Sequence, residues 1–197
     1  MKKVISFFLI LSLSLAIFSL NNLCYAKTNV ELNYSSKKVV KVTKIKRTYE
    51  ILEWFNGLGS LNCDYEDSYE KYNSYAGWNM TYHKVIDKRF SNMRELKTYL
   101  KKYLSSSYIK KLLKQENFVE KNEKLYYGTG ERGANITYIS SKYKITKKTS
   151  KKRIIKVTNK YWDNYEYYPK KIKKKIQYFK QKKINEKWVF TKISLPY

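Results

Sequence analysis

The sequence predicts an α+β fold in which N-terminal helices pack on a curved antiparallel sheet whose last four strands form a meander. Three observations lead to this prediction. In the first half of the chain, apolar residues recur at steps of three and four, which places them on one face of a helix. After Glu116 the period changes to two, as in half-buried strands. The links between the last four predicted strands are short, which favours antiparallel neighbours.

The N-terminus has the organisation of a secretory signal peptide. Lys2 and Lys3 precede an apolar run from Val4 to Leu20, and the small residue Ala26 stands at the expected cleavage position. An uncleaved anchor is the competing interpretation, although the run is just under a full membrane span. The remaining 171 residues suffice for one domain with its own core. We therefore expect a signal peptide over 1–26, a flexible leader over 27–37 and a single α+β domain over 38–197.

The charge of the chain is strongly positive. The net charge is +26, and it falls to +24 after cleavage because the signal segment holds two lysines and no acid. Abundant Lys, Asn, Tyr and Ile suggest a Gram-positive bacterium, whose wall is rich in anionic polymers. We expect a secreted or wall-associated protein that is attracted to those polymers, with no nucleic-acid partner and no stable membrane insertion after cleavage. A purely solubilising role for lysine is the alternative.

Three segments of the first half predict helices. The first extends from Val39 to Phe55, and the second from Asn92 to Tyr103. The second begins with a capping-box pattern, in which Asn92 accepts the amide of Glu95. The three serines 105–107 start a shorter helix. The predicted apolar faces consist of Val42, Ile45, Tyr49, Leu52 and Phe55 in the first helix and of Met93, Leu96, Leu100 and Tyr103 in the second.

Two segments between these helices differ in character. Leu61 to Ala76 is acidic and rich in tyrosine, and it predicts a long loop or an irregular helix. Trp78, Met80 and Tyr82 alternate with polar residues, which predicts a strand.

The second half predicts strands joined by turns. A hairpin is expected around Asn122–Glu123, and the last four strands lie in "ANITYISSKYKIT", "RIIKVTNKYW", "KIKKKIQYFKQKK" and "WVFTKISLPY". In the third of these, Ile172, Ile176 and Tyr178 share a face. A turn at 185–187 leads into the last strand.

The stretch "LYYGTGERGAN", from Leu125 to Asn135, holds three of the six glycines. A phosphate-binding loop is excluded, because no Lys-Ser/Thr and no helix follow the glycines. The segment is either an ordinary connection between strands or a recognition loop that carries Glu131 and Arg132. The predicted partner-binding loop comprises Tyr126, Tyr127, Gly128, Thr129, Gly130, Glu131, Arg132 and Gly133. Secondary contact candidates are Trp78, Tyr82, Tyr165 and Tyr167.

The sequence offers little chemistry for catalysis. Cys63 and His83 are a conceivable nucleophilic pair, but acidic neighbours raise a thiol pKa and so oppose activation. One cysteine after cleavage and one histidine do not make a Cys/His zinc site. The acids Asp64, Glu66 and Asp67 lack the EF-hand pattern, so a solvated loop is expected there. We expect no enzymatic activity, no catalytic residue, no metal site and no cofactor.

The order of elements and the ending "NEKWVFTKISLPY" resemble the nuclear-transport-factor-2-like and cystatin-like cone folds, with Trp188 at the place of their final-strand tryptophan. A closer resemblance is to the IseA family of secreted bacterial inhibitors of peptidoglycan DL-endopeptidases. It covers roughly residues 45–134 and lies in "EWFNGLGS", "GWNMTYHKV", "SNMRELKTYLKKYLSSSYIKKLL" and "EKNEKLYYGTGERGAN".

This resemblance implies a partner and a mode of action. The partner is an NlpC/P60-type cell-wall hydrolase, whose nucleophile is a cysteine paired with a histidine. Inhibition then requires a protruding segment that fills the active-site cleft, and Gly128 to Gly133 is the best match for it. Arg132 would pair with a carboxylate in the groove, and Glu131 would accept hydrogen bonds. The alternative function is an exported binding domain for an anionic wall polymer or a small ligand.

Overall fold

The computed structural model describes residues 42–57, 59, 61–128, 135–163 and 171–196. The described residues form three helices and eight strands, which confirms the predicted α+β class. The helices are α1 (Val42–Trp54), α2 (Met93–Leu100) and α3 (Ser106–Leu113). The strands are β1 (Cys63–Asn73), β2 (Trp78–Val85), β3 (Phe118–Lys121), β4 (Lys124–Gly128), β5 (Tyr138–Lys148), β6 (Lys152–Trp162), β7 (Ile172–Ile184) and β8 (Lys187–Lys192).

The strands form two antiparallel sheets of four strands each. Sheet A has the order β1-β2-β4-β3, and sheet B has the order β5-β6-β7-β8. Sheet B is the predicted meander, which is thereby confirmed. Its last hairpin turns at Asn185 and Glu186, and the β3–β4 hairpin turns at Asn122 and Glu123. These four residues have φ values between 45° and 61°, as two-residue turns of type I′ require.

Helix α1 packs against the inner faces of both sheets. Its buried side chains include the predicted Ile45, Leu52 and Phe55. The Phe55 ring lies 5.2 Å from that of Phe118 in sheet A, and the Tyr49 ring lies 6.1 Å from that of Phe179 in sheet B. One buried apolar cluster therefore joins both sheets to the helices.

Helix α2 begins as predicted, with one difference in its cap. The Asn92 side chain accepts the Glu95 amide at 3.0 Å. The Glu95 carboxylate accepts the Ser91 amide at 2.8 Å, one residue before the amide that a standard capping box uses. Leu96 and Leu100 are buried as predicted, and Tyr99 is buried beside them.

The prediction of a loop or irregular helix over Leu61 to Ala76 is wrong. Strand β1 occupies Cys63–Asn73 and pairs antiparallel with β2. Only its two end residues are buried, so the strand carries no alternating apolar signal. Pairing with β2 rather than local pattern makes this segment a strand, with a bulge between Asp64 and Ser68.

The predicted face of β7 exists, but it is the outer one. Ile172, Ile176 and Tyr178 are each about half exposed. Phe179 and Gln181, on the opposite face of the strand, are buried.

In the described part of the chain, none of the helices combines the length and apolar character that a membrane crossing needs. The predicted signal peptide and leader lie outside the described residues.

Candidate functional site

The predicted recognition loop leaves sheet A at the end of β4, an interior strand. Thr129, Gly130, Glu131, Arg132 and Gly133 lie outside the described residues, as do the contact candidates Tyr165 and Tyr167. The residues on either side are described. We use the name loop base for Tyr126, Tyr127 and Gly128 together with Asp67 and Tyr82, which contact them.

Tyr127 ties the loop base to the end of helix α1. Its side chain is 1 % exposed, and its hydroxyl donates to the carbonyl oxygens of Trp54 at 2.9 Å and Gly59 at 3.3 Å. Its ring lies 5.0 Å from the ring of Phe118 in β3. Burial raises the pKa of the Tyr127 hydroxyl, so it remains a hydrogen-bond donor.

Gly128 allows β4 to end in close contact with β2. It stands opposite Tyr82 in the β2–β4 register, and its amide donates to the Asn117 carbonyl oxygen at 2.8 Å. A Cβ atom at Gly128 would lie 2.8 Å from Cε1 of Tyr82 and 3.1 Å from Cε of Met80. A glycine is therefore required here by space, because its missing Cβ leaves room for the Tyr82 ring.

Tyr82 is a structural residue, which corrects the expectation that its side chain contacts a partner. The side chain is fully buried. Its hydroxyl donates to the Glu116 carbonyl oxygen at 2.8 Å and accepts from the Asn73 amide group at 3.1 Å. Glu116 is 34 residues away in sequence, so no local pattern reveals this contact.

Tyr126 faces away from Tyr127 and binds the edge strand. Its hydroxyl donates to Oδ1 of Asp67 at 3.0 Å, while Nζ of Lys84 lies 3.1 Å from Oδ2 of the same carboxylate. The hydrogen bonds from Lys84 and Tyr126 hold the pKa of Asp67 below its usual value. Asp67 is thus an ionised acceptor that joins three strands. Sequence reasoning missed this role because it assigned Asp67 to a solvated loop.

The edge beside the loop base is acidic. Strand β1 contributes Asp64, Glu66 and Glu70 as well as Asp67. Glu66 and Glu70 are exposed and form no ion pair with another described residue. The contact candidate Trp78 is 58 % exposed at the first residue of β2, the end towards which β4 runs. The edge strand β1 therefore offers carboxylates, and the neighbouring strand β2 offers the exposed indole of Trp78.

The other end of the connection is fixed at the start of sheet B. Oδ1 of Asn135 accepts the amide of Thr137 at 3.0 Å and its hydroxyl at 2.7 Å. The Thr137 carbonyl oxygen accepts the amide of Trp162 in β6 at 2.8 Å. Both ends of the β4–β5 connection are therefore held by hydrogen bonds to neighbouring elements.

Cys63 and His83 do not form a hydrogen-bonded pair. The thiol is buried, and burial together with the Asp87 charge raises the pKa of Cys63 to about 11. The His83 ring lies against Tyr65, with their centroids 4.7 Å apart. A thiol with so high a pKa is a poor nucleophile at neutral pH. Among the described residues, no group of three or more Cys, His, Asp and Glu side chains has the arrangement of a metal site.

Two surface grooves lie on the helical side of the protein. One, of about 660 Å³, runs between α2 and the β3–β4 turn and is lined by Arg94, Lys97, Glu120 and Glu123 among others. The second, of about 400 Å³, lies between α2 and α3, where four lysines surround Ile109 and Leu113. Both grooves are open to solvent at the outer side of the helices, away from the packed space between helices and sheets.

The chain matches no protein-family model and no curated protein.

Proposed function

We propose that this protein is exported and inhibits NlpC/P60-type peptidoglycan hydrolases by inserting the β4–β5 connection into their active-site cleft. The connection would exclude the peptide substrate sterically. This mode of action requires no catalytic group and no cofactor of its own.

The observation that supports the proposal most directly is the fixed base of the connection. Gly128 is held between Asn117 and Tyr82, and Asn135 is held by Thr137. A segment with both ends immobilised loses less conformational entropy on binding than a free one. Rigid elements that present a short connection are a common way to build a recognition surface.

The acidic edge of β1 gives a second line of support. In a strongly basic protein, carboxylates that lack internal partners favour a basic surface on the partner and disfavour other acidic proteins. Among the described residues, Glu66 and Glu70 have no such partner, and they lie on either side of Asp67 in β1. We expect them to influence the association rate and its salt dependence more than the final affinity.

The proposal is tested by titrating the purified protein into a wall-lysis assay with a DL-endopeptidase catalytic domain. The parent protein should form a 1:1 complex and stop lysis. Deletion of Thr129 to Arg132 should weaken inhibition at least about tenfold, since about 1.4 kcal/mol of contact energy is a factor of ten. The deletion should leave the unfolding temperature nearly unchanged, because the buried contacts of the loop base remain.

A matched control changes a connection that has no part in the proposal, the β7–β8 turn. Replacing Asn185 and Glu186 by glycine alters the β7–β8 turn, whose positive φ values glycine accepts. That variant should inhibit as well as the parent. A folded deletion variant that still inhibits fully would show that the β4–β5 connection is not the inhibitory segment.

A further inference from the structure

The outer face of sheet B carries lysine on all four strands. Phe179 and Val157 point inward to the core, so residues of the other parity in β6 and β7 point outward. Lys192 follows a bulge in β8 and stands opposite the outward Lys180. We use the name lysine face for a set of six of the outward lysines on the paired strands. They are Lys144, Lys156, Lys160, Lys174, Lys180 and Lys192.

These lysines stand directly opposite one another. Lys144 is paired with Lys156, Lys160 with Lys174, and Lys180 with Lys192. Like charges at directly opposed positions destabilise a sheet. The four strands contain sixteen basic residues and no acid, so no carboxylate of sheet B relieves this repulsion. Simple solubility does not require such pairing, because lysines at staggered positions would serve it equally well.

Apolar side chains lie between the lysines on the same face. Along β7, the outward residues after Lys174 are Ile176, Tyr178 and then Lys180. Ile176 and Tyr178 are each about half exposed. Alternate residues of a strand are about 7 Å apart, so the two apolar positions between Lys174 and Lys180 separate these lysines by about 20 Å along β7. A linear polymer in which carbon-rich spacers separate the anionic groups presents complementary groups to these lysines and apolar side chains.

We propose that the lysine face binds a linear polyol phosphate polymer, the kind of phosphodiester chain found in a Gram-positive wall. The positive charge of this face favours an anionic ligand. Several cations spread over neighbouring strands favour an extended polymer over a small ligand, because each contact after the first is intramolecular. The choice of a wall polymer rests on the proposed export. Binding at this face is separate from inhibition at the β4–β5 connection, so failure of either leaves the other testable.

The test is the affinity of the purified protein for a poly(glycerol phosphate) chain over a series of salt concentrations. One variant carries Lys156→Gln, Lys160→Gln, Lys174→Gln and Lys180→Gln. The control carries Lys97→Gln, Lys101→Gln, Lys110→Gln and Lys114→Gln at the helical groove, with the same change in charge.

The lysine-face variant should bind the polymer about 100-fold more weakly at 0.1 M salt. The magnitude of its slope of log K against log salt should decrease by about 3, since each lost phosphate contact contributes roughly 0.7 for a single strand. The affinity of the control variant for the polymer should fall less than about fivefold, which is the scale of one phosphate contact. Thermal unfolding of both variants checks their folding, and removal of like-charge pairs should leave the lysine-face variant at least as stable as the parent.

Three results would overturn the proposal. Equal losses in the two variants would mean that net charge alone attracts the polymer. Tighter binding to single-stranded DNA with the same number of phosphates would indicate a nucleic-acid surface. Tighter binding to phosphatidylglycerol vesicles would indicate a membrane surface.

Discussion

Sheets A and B have the same number of strands and the same antiparallel pairing, but they differ in charge and in burial. The strands of sheet A contain five acids and four bases, whereas those of sheet B contain sixteen bases and no acid. Sheet A has a second buried cluster, Met80, Tyr82 and Tyr126, on the face opposite the main core. Among the described residues, no such cluster covers the outer face of sheet B.

This difference separates two tasks. A sheet packed on both faces fixes the ends of its strands precisely, which suits a base that presents a connection to a partner. A sheet packed on one face leaves the other free for a regular array of charge. We interpret sheet A as the support of the proposed inhibitory segment and sheet B as the carrier of the proposed polyanion-binding surface.

The largest expected effect comes from tyrosines on the two outer faces. Tyr82→Ala in sheet A should lower the free energy of unfolding by about 3 to 5 kcal/mol, the range for a fully buried aromatic side chain. Tyr178→Ala in sheet B should change it by about 0.5 kcal/mol or less, since the side chain is half exposed. Urea unfolding measures both. Similar losses in the two variants would contradict the contrast between the faces.

The second test concerns the space at the loop base. Gly128→Ala should destabilise the protein by about 1 to 3 kcal/mol, because the new methyl group meets the buried Tyr82 ring. Gly77→Ala is the control, since a Cβ there has no neighbour within 4 Å and only the positive φ of 85° opposes it. We expect about 1 kcal/mol for the control. The same denaturation measurement decides, and a smaller loss at Gly128 than at Gly77 would disprove the packing argument.

The parts of the fold that could be predicted from sequence are those with local signals. The three-and-four spacing around Ile45 and Leu52 predicted α1, and Asn92 with Glu95 predicted the start of α2. The short links after Thr149 and at Asn185 predicted the meander. In each case the residues that determine the structure lie within one turn or one hairpin of one another.

Features that depend on distant partners were not predictable. Among the described strands, β1 pairs with β2 alone, and nothing in its own alternation indicates pairing. The outward parity of Ile176 and Tyr178 was equally hidden, because lysines occur on both sides of β7. A shift of one residue exchanges the faces of a strand, and only the packing of Phe179 against Tyr49 decides between them. Tyr82 was expected at the surface because its burial likewise depends on partners outside its own strand, Asn73 and Glu116.

The contrast in charge predicts opposite signs for two lysine substitutions. Lys84→Gln in sheet A removes the ion pair with Asp67 and should lower the unfolding temperature. Lys160→Gln in sheet B removes repulsion from Lys174 and should raise stability by a few tenths of a kcal/mol, or about 1 °C. Calorimetry of both variants under identical conditions measures the two changes in unfolding temperature. A loss of stability at Lys160 would show that its pairing is not repulsive.

The smallest expected effect is a local response to acid. The pKa of Asp67 is lowered in the folded protein, so this carboxylate stabilises the fold above its unfolded pKa of about 3.9. That contribution is lost as the pH falls through the lower folded pKa. Because sheet B has no carboxylate in its strands, amide exchange below about pH 4 should accelerate first in β1 and the facing part of β2, and later in β5 to β8. Asp67→Asn should remove the difference in pH dependence, since the amide does not titrate in this range. Acid does not change the repulsion among the lysines of sheet B. Faster exchange in sheet B than in β1 at low pH would therefore show that another, acid-sensitive contact also weakens sheet B.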